Sequence, residues 1–259
     1  MRTAPALAVA SDFDGTLTEI VEHAGQAELN PRVRAAIGAL AALPDVRVGV
    51  FSGRPLSDLV TRMNLPGVFL SGVSGLETQD THGTRRQAIA EGDAVPTALR
   101  QVLGEWCALH PGAWLEDKSV ACAVHYRQVP QRLQPAFAAG VRRRLAPYRE
   151  RLRVLPGKKL FEVLPAAATD KGWALEQWLP AADPALVIFF GDDVHDEVVH
   201  PVVRSRGGIA VAVGRTSSRA EFSLPSPRHV LWFLEWLVRE WRAVRRPAAP
   251  AEAEPHPVS

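Results

Sequence analysis

The chain has 259 residues, 47% of them apolar and 22% charged, enough to bury one ordinary globular core with material for a second, which excludes a disordered or fibrous protein. Thirty Lys and Arg against 28 Asp and Glu leave a formal charge of +2, too balanced for a nucleic-acid-binding surface. Cys107 and Cys122, its two cysteines, are spaced for neither a disulfide framework nor a zinc site, and they suit a reducing cytoplasm. The apolar start at Leu7–Ala10 is too short for a signal peptide and far short of the roughly 20 residues that cross a bilayer, so no membrane partner is expected.

In chain order, the sequence predicts a strand at Leu7–Ala10, a helix at Pro31–Leu43, a strand at Val46–Phe51, a helix at Pro55–Met63 and a strand at Val68–Leu70. Short β-branched apolar runs alternating with helical patterns read as a parallel α/β sheet. Asn30 before Pro31 is an N-cap followed by proline at the first helical position, and Pro55 opens the next helix in the same way. From Pro96 the rhythm changes to a helix (Pro96–Leu109), two strands (Ala113–Lys118 and Val120–Tyr126), a helix (Pro130–Tyr148) and two more strands (Leu152–Leu155 and Lys159–Leu164). This doubled α-β-β unit with antiparallel hairpins predicts a separate inserted α+β domain.

The parallel rhythm resumes with a helix at Lys171–Leu179 capped by Asp170, an apolar strand at Leu186–Phe190, a helix after Asp193 and a strand at Ile209–Val213. A last helix, Pro227–Trp241, carries Leu231, Trp232, Leu234, Trp236, Leu237 and Trp241, a stripe broad enough to be mostly buried. The expected division is a discontinuous core over 1–95 and 167–246, a cap over 96–166, and a disordered tail over 247–259, whose composition cannot offset its ordering entropy.

Open α/β sheets bind ligands at the carboxyl ends of their strands, so the residues after each apolar run are informative. They are Asp12-Phe13-Asp14-Gly15-Thr16 after the first strand, Ser52-Gly53-Arg54 after the second, Asp170-Lys171-Gly172 on re-entry, and Gly191-Asp192-Asp193-Val194-His195-Asp196 after the Leu186–Phe190 strand. Gathering these carboxylates costs about 4 kcal/mol per close pair at an effective dielectric near 20 unless a cation sits among them, and hard oxygen donors without a His/Cys set imply Mg²⁺. Each residue also has a plainer use: Asp192 and Asp193 suit a helix cap, Ser52 a loop hydroxyl and Lys171 a solvated helix start. His195 and His200 read as helix or packing residues.

Four such motifs in this order resemble the haloacid-dehalogenase superfamily of phosphatases, which implies a Rossmann-like core with an inserted cap. The resemblance implies an aspartyl-phosphate on Asp12 and an acid–base role for Asp14. It implies Mg²⁺ held by Asp12, the main-chain carbonyl of Asp14 and Asp192, with Asp193 or Asp196 ordering its waters, and phosphoryl oxygens held by Ser52, Gly53 and Lys171. In the cap, Glu116-Asp117-Lys118, His125-Tyr126-Arg127 and Gly157-Lys158-Lys159 followed by Glu162 are similar to the trehalose-6-phosphate phosphatase family, as is Ser71-Gly72-Val73-Ser74-Gly75-Leu76-Glu77. That implies Lys118, Lys158 and Glu162 on the sugar hydroxyls, joined by Glu116 and Arg127, and hydrolysis of trehalose 6-phosphate as the last step of trehalose synthesis. Ser74 and Leu164 depart from that family's usual His and Arg or Lys. The alternatives are another sugar phosphate, such as sucrose 6-phosphate or mannosyl-3-phosphoglycerate, a non-catalytic partner of a glycosyltransferase, and a receiver-like phosphoacceptor.

Overall fold

In a computed structural model of the chain, which describes residues 4–21, 24–157, 159–180, 185–215 and 217–244, the first apolar run forms β1 (Leu7–Ser11), buried at every position, as a strand covered on both faces must be. Helix α1 (Pro31–Ala41) starts at Asn30, whose side chain accepts from the Arg32 N–H at 2.9 Å. Strand β2 (Val46–Phe51), helix α2 (Leu56–Met63) and strand β3 (Val68–Gly72) follow. A hairpin that the sequence reading did not include, β4 (Glu77–Gln79) and β5 (Arg85–Gln87), then extends the sheet antiparallel.

The chain next builds a second sheet from α3 (Thr97–Ala108), β6 (Trp114–Asp117), β7 (Cys122–His125), α4 (Gln134–Leu145), β8 (Leu152–Gly157) and β9 (Leu160–Pro165). Its four strands run β6-β7-β9-β8, all antiparallel. One face packs on α3 and α4 through Leu99, Leu103, Val124, Phe137, Val141, Phe161 and Val163. The single helix expected over Pro130–Tyr148 is instead two short 3₁₀ turns flanking α4, with a proline near the start of α4 and another in the second turn, where a missing N–H breaks the α ladder.

Returning to the first sheet, the chain adds α5 (Lys171–Trp178), β10 (Leu186–Gly191), α6 (His200–Ser205), β11 (Ile209–Val213), β12 (Phe222–Leu224) and α7 (Pro227–Val244). The order is β12-β11-β10-β1-β2-β3-β4-β5, parallel from β12 to β3. Residues from α1, α2 and α7 cover one face and residues from α5 and α6 the other. This is the expected α/β class with a parallel core sheet and an inserted α+β unit. On α7, Leu231, Leu234, Leu237 and Trp241 are buried, but Trp232 and Trp236 are exposed at the edge of the stripe, with the Arg228 guanidinium 4.8 Å from the Trp232 ring. Among the described residues no helix is long and apolar enough to cross a membrane. The tail expected over 247–259 lies outside the described residues.

Candidate active site

Adjacent parallel strands β1 and β10 end side by side, and the Asp12 N–H donates to the Phe190 carbonyl at 2.8 Å. That register brings Asp12 and Asp192 together. Lys171 opens α5 behind Asp170, whose side chain caps the helix by accepting from the Trp173 N–H at 2.9 Å. Its buried ammonium lies 2.7 Å from Asp12 Oδ1 and 2.7 Å from Asp196 Oδ1. Oxygens of Asp12, Asp192 and Asp196 all lie within 4.8 Å of one another. Three carboxylates thus crowd around one ammonium, and the imbalance bears on Asp12 and Asp192. Burial raises the Asp12 carboxyl well above the ordinary carboxylate range, Lys171 opposes the rise, and Asp196 and Asp192 add to it. Burial, then Asp196, raises Asp192 to about 6. For Lys171, burial works against the charge but Asp12 and Asp196 outweigh it and raise the ammonium's pKa.

Asp193, paired with Asp196 as a candidate for the same cation, stands elsewhere. Its half-exposed carboxylate accepts from the His195 N–H at 3.0 Å, while Asp196 Oδ2 accepts from the Asp193 N–H at 2.9 Å. This reciprocal capping box folds the Val194–Asp196 turn and turns Asp196, 1% exposed, into the cluster. Gly15 closes the other side at φ +75°, and a Cβ there would sit 2.2 Å from Asp192 Oδ2. All three donors are carboxylate oxygens, the donor type that suits Mg²⁺.

Asp14 lies beside this cluster, held by a residue to which sequence reasoning gave no role. Arg54 Nε donates to Asp14 Oδ2 at 2.7 Å and Arg54 Nη2 to Asp14 Oδ1 at 2.6 Å, a two-point fork. Asp58 fixes the other end of the guanidinium at 2.7 Å. Arg54 is buried and Asp14 is partly exposed, its side chain 41% accessible. The Ser52 hydroxyl, also buried, accepts from the Arg54 N–H at 3.1 Å. Behind the Ser52–Arg54 loop, Val73 (φ 47°) and Ser74 (φ 55°) take left-handed backbone conformations. Their N–H groups donate to Arg54 O at 2.8 Å and Ser52 O at 3.0 Å, so two strained residues buttress the loop.

Above it, the inserted sheet turns a polar face toward the core. Lys118 Nζ donates to Gly53 O at 2.8 Å and to Glu162 Oε1 at 3.1 Å, and lies 3.9 Å from Glu116 Oε2. Glu116 Oε2 in turn lies 3.0 Å from His125 Nε2. Burial opposes ionisation of Glu116, yet the His125 hydrogen bond and the charges of Lys118, His125 and Arg54 hold its carboxyl below the ordinary range. Lys118 and Glu162 are buried, so they are not members of a solvated strand face. Arg127 is exposed beyond β7, outside this group, and Lys158 lies outside the described residues. Leu164, one of the two departures, is 1% exposed and packs with Val73, Leu76 and Leu155 in an apolar seam between inserted sheet and core. Arg54 and Asp196 are the residues that sequence reasoning underused. Both stood within the quoted motifs, but only the folded turn and fork distinguish them from their neighbours.

Comparison with known proteins gives the same direction. The trehalose-phosphatase family profile matches residues 10–228. The trehalose-phosphate phosphatase of Mycobacterium tuberculosis (strain H37Rv) is 36% identical over 91% of this chain, and that of Mycobacterium leprae 34% over 94%. The chain spans about 60% of the length of these relatives, 62% and 60% respectively. Among solved structures, the C-terminal domain of Candida albicans trehalose-6-phosphate phosphatase superimposes with a TM-score of 0.77 at 22% identity, over 91% of this chain and 93% of that one.

Proposed function

Because the chain belongs to the trehalose-phosphatase family, we propose that it hydrolyses trehalose 6-phosphate to trehalose and phosphate, the last step of trehalose synthesis. The observation that carries the reading is the convergence of Asp12, Lys171, Asp192 and Asp196 at adjacent strand ends beneath the Lys118–Glu162 pair. An Asp12 carboxylate oxygen attacks phosphorus, and the bond from phosphorus to the sugar oxygen breaks as Asp14 gives that oxygen a proton. Water then attacks the phosphorus of the aspartyl-phosphate, Asp14 takes its proton, and Asp12 is released. Arg54 holds both Asp14 oxygens in the resting arrangement and so orients that carboxyl. Ser52, Gly53 and Lys171 bind the phosphoryl oxygens.

Asp12, Asp192 and the main-chain carbonyl of Asp14 would hold Mg²⁺, with Asp196 rather than Asp193 as the supporting carboxylate. The cation supplies the charge screening that a carboxylate needs to approach a phosphate ester. Residues 96–166 act as the cap that places the sugar, using Lys118, Glu162 and Glu116, with Lys158 and Arg127 as further candidates for sugar contact. The buried free thiols of Cys107 and Cys122 support a reducing, cytoplasmic setting. The test is phosphate release with Mg²⁺ from trehalose 6-phosphate beside glucose 6-phosphate, sucrose 6-phosphate and mannosyl-3-phosphoglycerate. Trehalose 6-phosphate is expected to be the best substrate, with Asp12→Asn and chelation both reducing release to background. Preference for another ester moves the assignment to that ester, and full activity in Asp12→Asn overturns the mechanism.

A further inference from the structure

The polar face of the inserted sheet continues past the residues assigned above. Strand alternation puts Leu115, Cys122 and Val124 toward the helices, where they join the apolar core, and therefore sends Trp114, Glu116, Ala123 and His125 to the opposite, core-facing side. Register agrees, since Trp114 lies across from His125, Glu116 from Ala123, and Ala123 from Glu162. Trp114 is thus on the same face as Glu116 and Lys118, about 13 Å along the strand from the lysine at ~3.3 Å per residue. Its distance from the phosphate loop that Lys118 touches corresponds to the far end of an elongated ligand.

The indole is held in place. Its ring and the His125 ring stack with centroids 3.8 Å apart and an interplanar angle of 4°, and His125 Nε2 is fixed 3.0 Å from Glu116 Oε2. Even so, 42% of Trp114 remains exposed. A large aromatic ring backed by a second ring and tied to a partly buried carboxylate is a flat, rigid, half-wet surface. Such a surface suits the axial C–H face of a pyranose, whose equatorial hydroxyls meet polar groups at the ring edge.

We propose that Trp114, supported by His125, is the platform for the non-phosphorylated sugar ring and selects a disaccharide phosphate over a hexose phosphate. This rests on the sugar-phosphatase reading above and adds to it a residue that reads the second ring. It predicts that truncation penalises ligands in proportion to what they place on the ring. In Trp114→Ala, kcat/KM for trehalose 6-phosphate is expected to fall roughly 5- to 30-fold, mostly through KM, with glucose 6-phosphate and a small aryl phosphate changed less than about 2-fold. Trp114→Phe should recover most of the loss, because a flat apolar face remains.

Calorimetric titration with trehalose itself, against glucose, separates the proposal from the reading it rests on. Trehalose binding by the wild type that weakens in Trp114→Ala and returns in Trp114→Phe supports the platform. Equal binding by wild type and Trp114→Ala overturns it, as does a wild type that does not bind trehalose at millimolar concentration, or an equal loss of activity toward all three esters. Whether trehalose 6-phosphate is turned over at all tests the substrate reading independently. Melting temperatures of both variants show whether the edge strand is still folded.

Discussion

At Gly15 the backbone holds φ at +75°, and a side chain there would run into Asp192 Oδ2 at 2.2 Å. Gly15→Ala therefore meets two costs: about 1–2 kcal/mol for the left-handed conformation, and displacement of Asp192 from the carboxylate cluster. We expect a melting temperature lowered by a few degrees and activity lowered at least about 100-fold, with the response to added Mg²⁺ weakened; a variant with normal activity and Mg²⁺ response would remove Gly15 from the site. The same cluster sets a pH dependence. Burial and Asp196 raise Asp192 to about 6, above the ordinary value of about 3.9 in the unfolded chain. A carboxyl raised in the folded state favours folding when protonated, so the metal-free protein loses stability as pH rises from near 4 through about 6. On the proposed assignment Mg²⁺ binds the ionised form, so its stabilisation should be small at pH 5 and grow above pH 6. Melting curves with and without Mg²⁺ across pH 5–8 check this, and an increment independent of pH would contradict it. Much of this was legible in sequence, because Asp12, Lys171 and Asp192 each follow a strand end or a cap signal. Asp193 and Asp196 were not distinguishable, since their roles depend on which carboxylate closes the capping box.

Just past the end of β6 and on β9, Lys118 and Glu162 form a buried pair against Gly53 O. Glu162→Ala should lower kcat/KM for trehalose 6-phosphate about 10- to 150-fold, the range of one charge-assisted hydrogen bond, and spare a small aryl phosphate. It also leaves buried Lys118 with only the more distant Glu116, 3.9 Å away, as a charged partner, at a stability cost below the about 3–5 kcal/mol of a fully unpaired buried charge. Pairing Glu162→Ala with Lys118→Met removes that cost, so recovered stability without recovered activity would identify sugar contact rather than folding as the loss; recovery of both would make the pair structural. Elements with apolar periodicity were readable, and those without it were not. In the β4–β5 hairpin, Glu77-Thr78-Gln79 faces Arg85-Arg86-Gln87 with no apolar residue to show alternation. Three-residue β12 is too short to show a period. Helix α6 begins later than expected because the capping box spends the residues after Asp193 on a 3₁₀ turn.

Across the whole molecule, the sheet order has a consequence for how the chain reaches its native state. β1 sits between β2 and β10, with Leu7 pairing both Val46 and Leu186, so the central strand waits for a partner made after the entire inserted unit. The inserted sheet closes its own apolar core with partners nearer in sequence. Loop-closure entropy favours the nearer contacts, and larger chains assemble unit by unit. In pulse-labelled hydrogen exchange during refolding, amides of β7 and β9 should gain protection before those of β1 and β10; the reverse order would mean that the parallel sheet nucleates first. Because Asp12 and Asp192 meet only when β1 and β10 zip together, regain of activity should coincide with that last step. During synthesis on the ribosome, a nascent chain released before β10 emerges would carry a finished lid over a centre that has no chemistry.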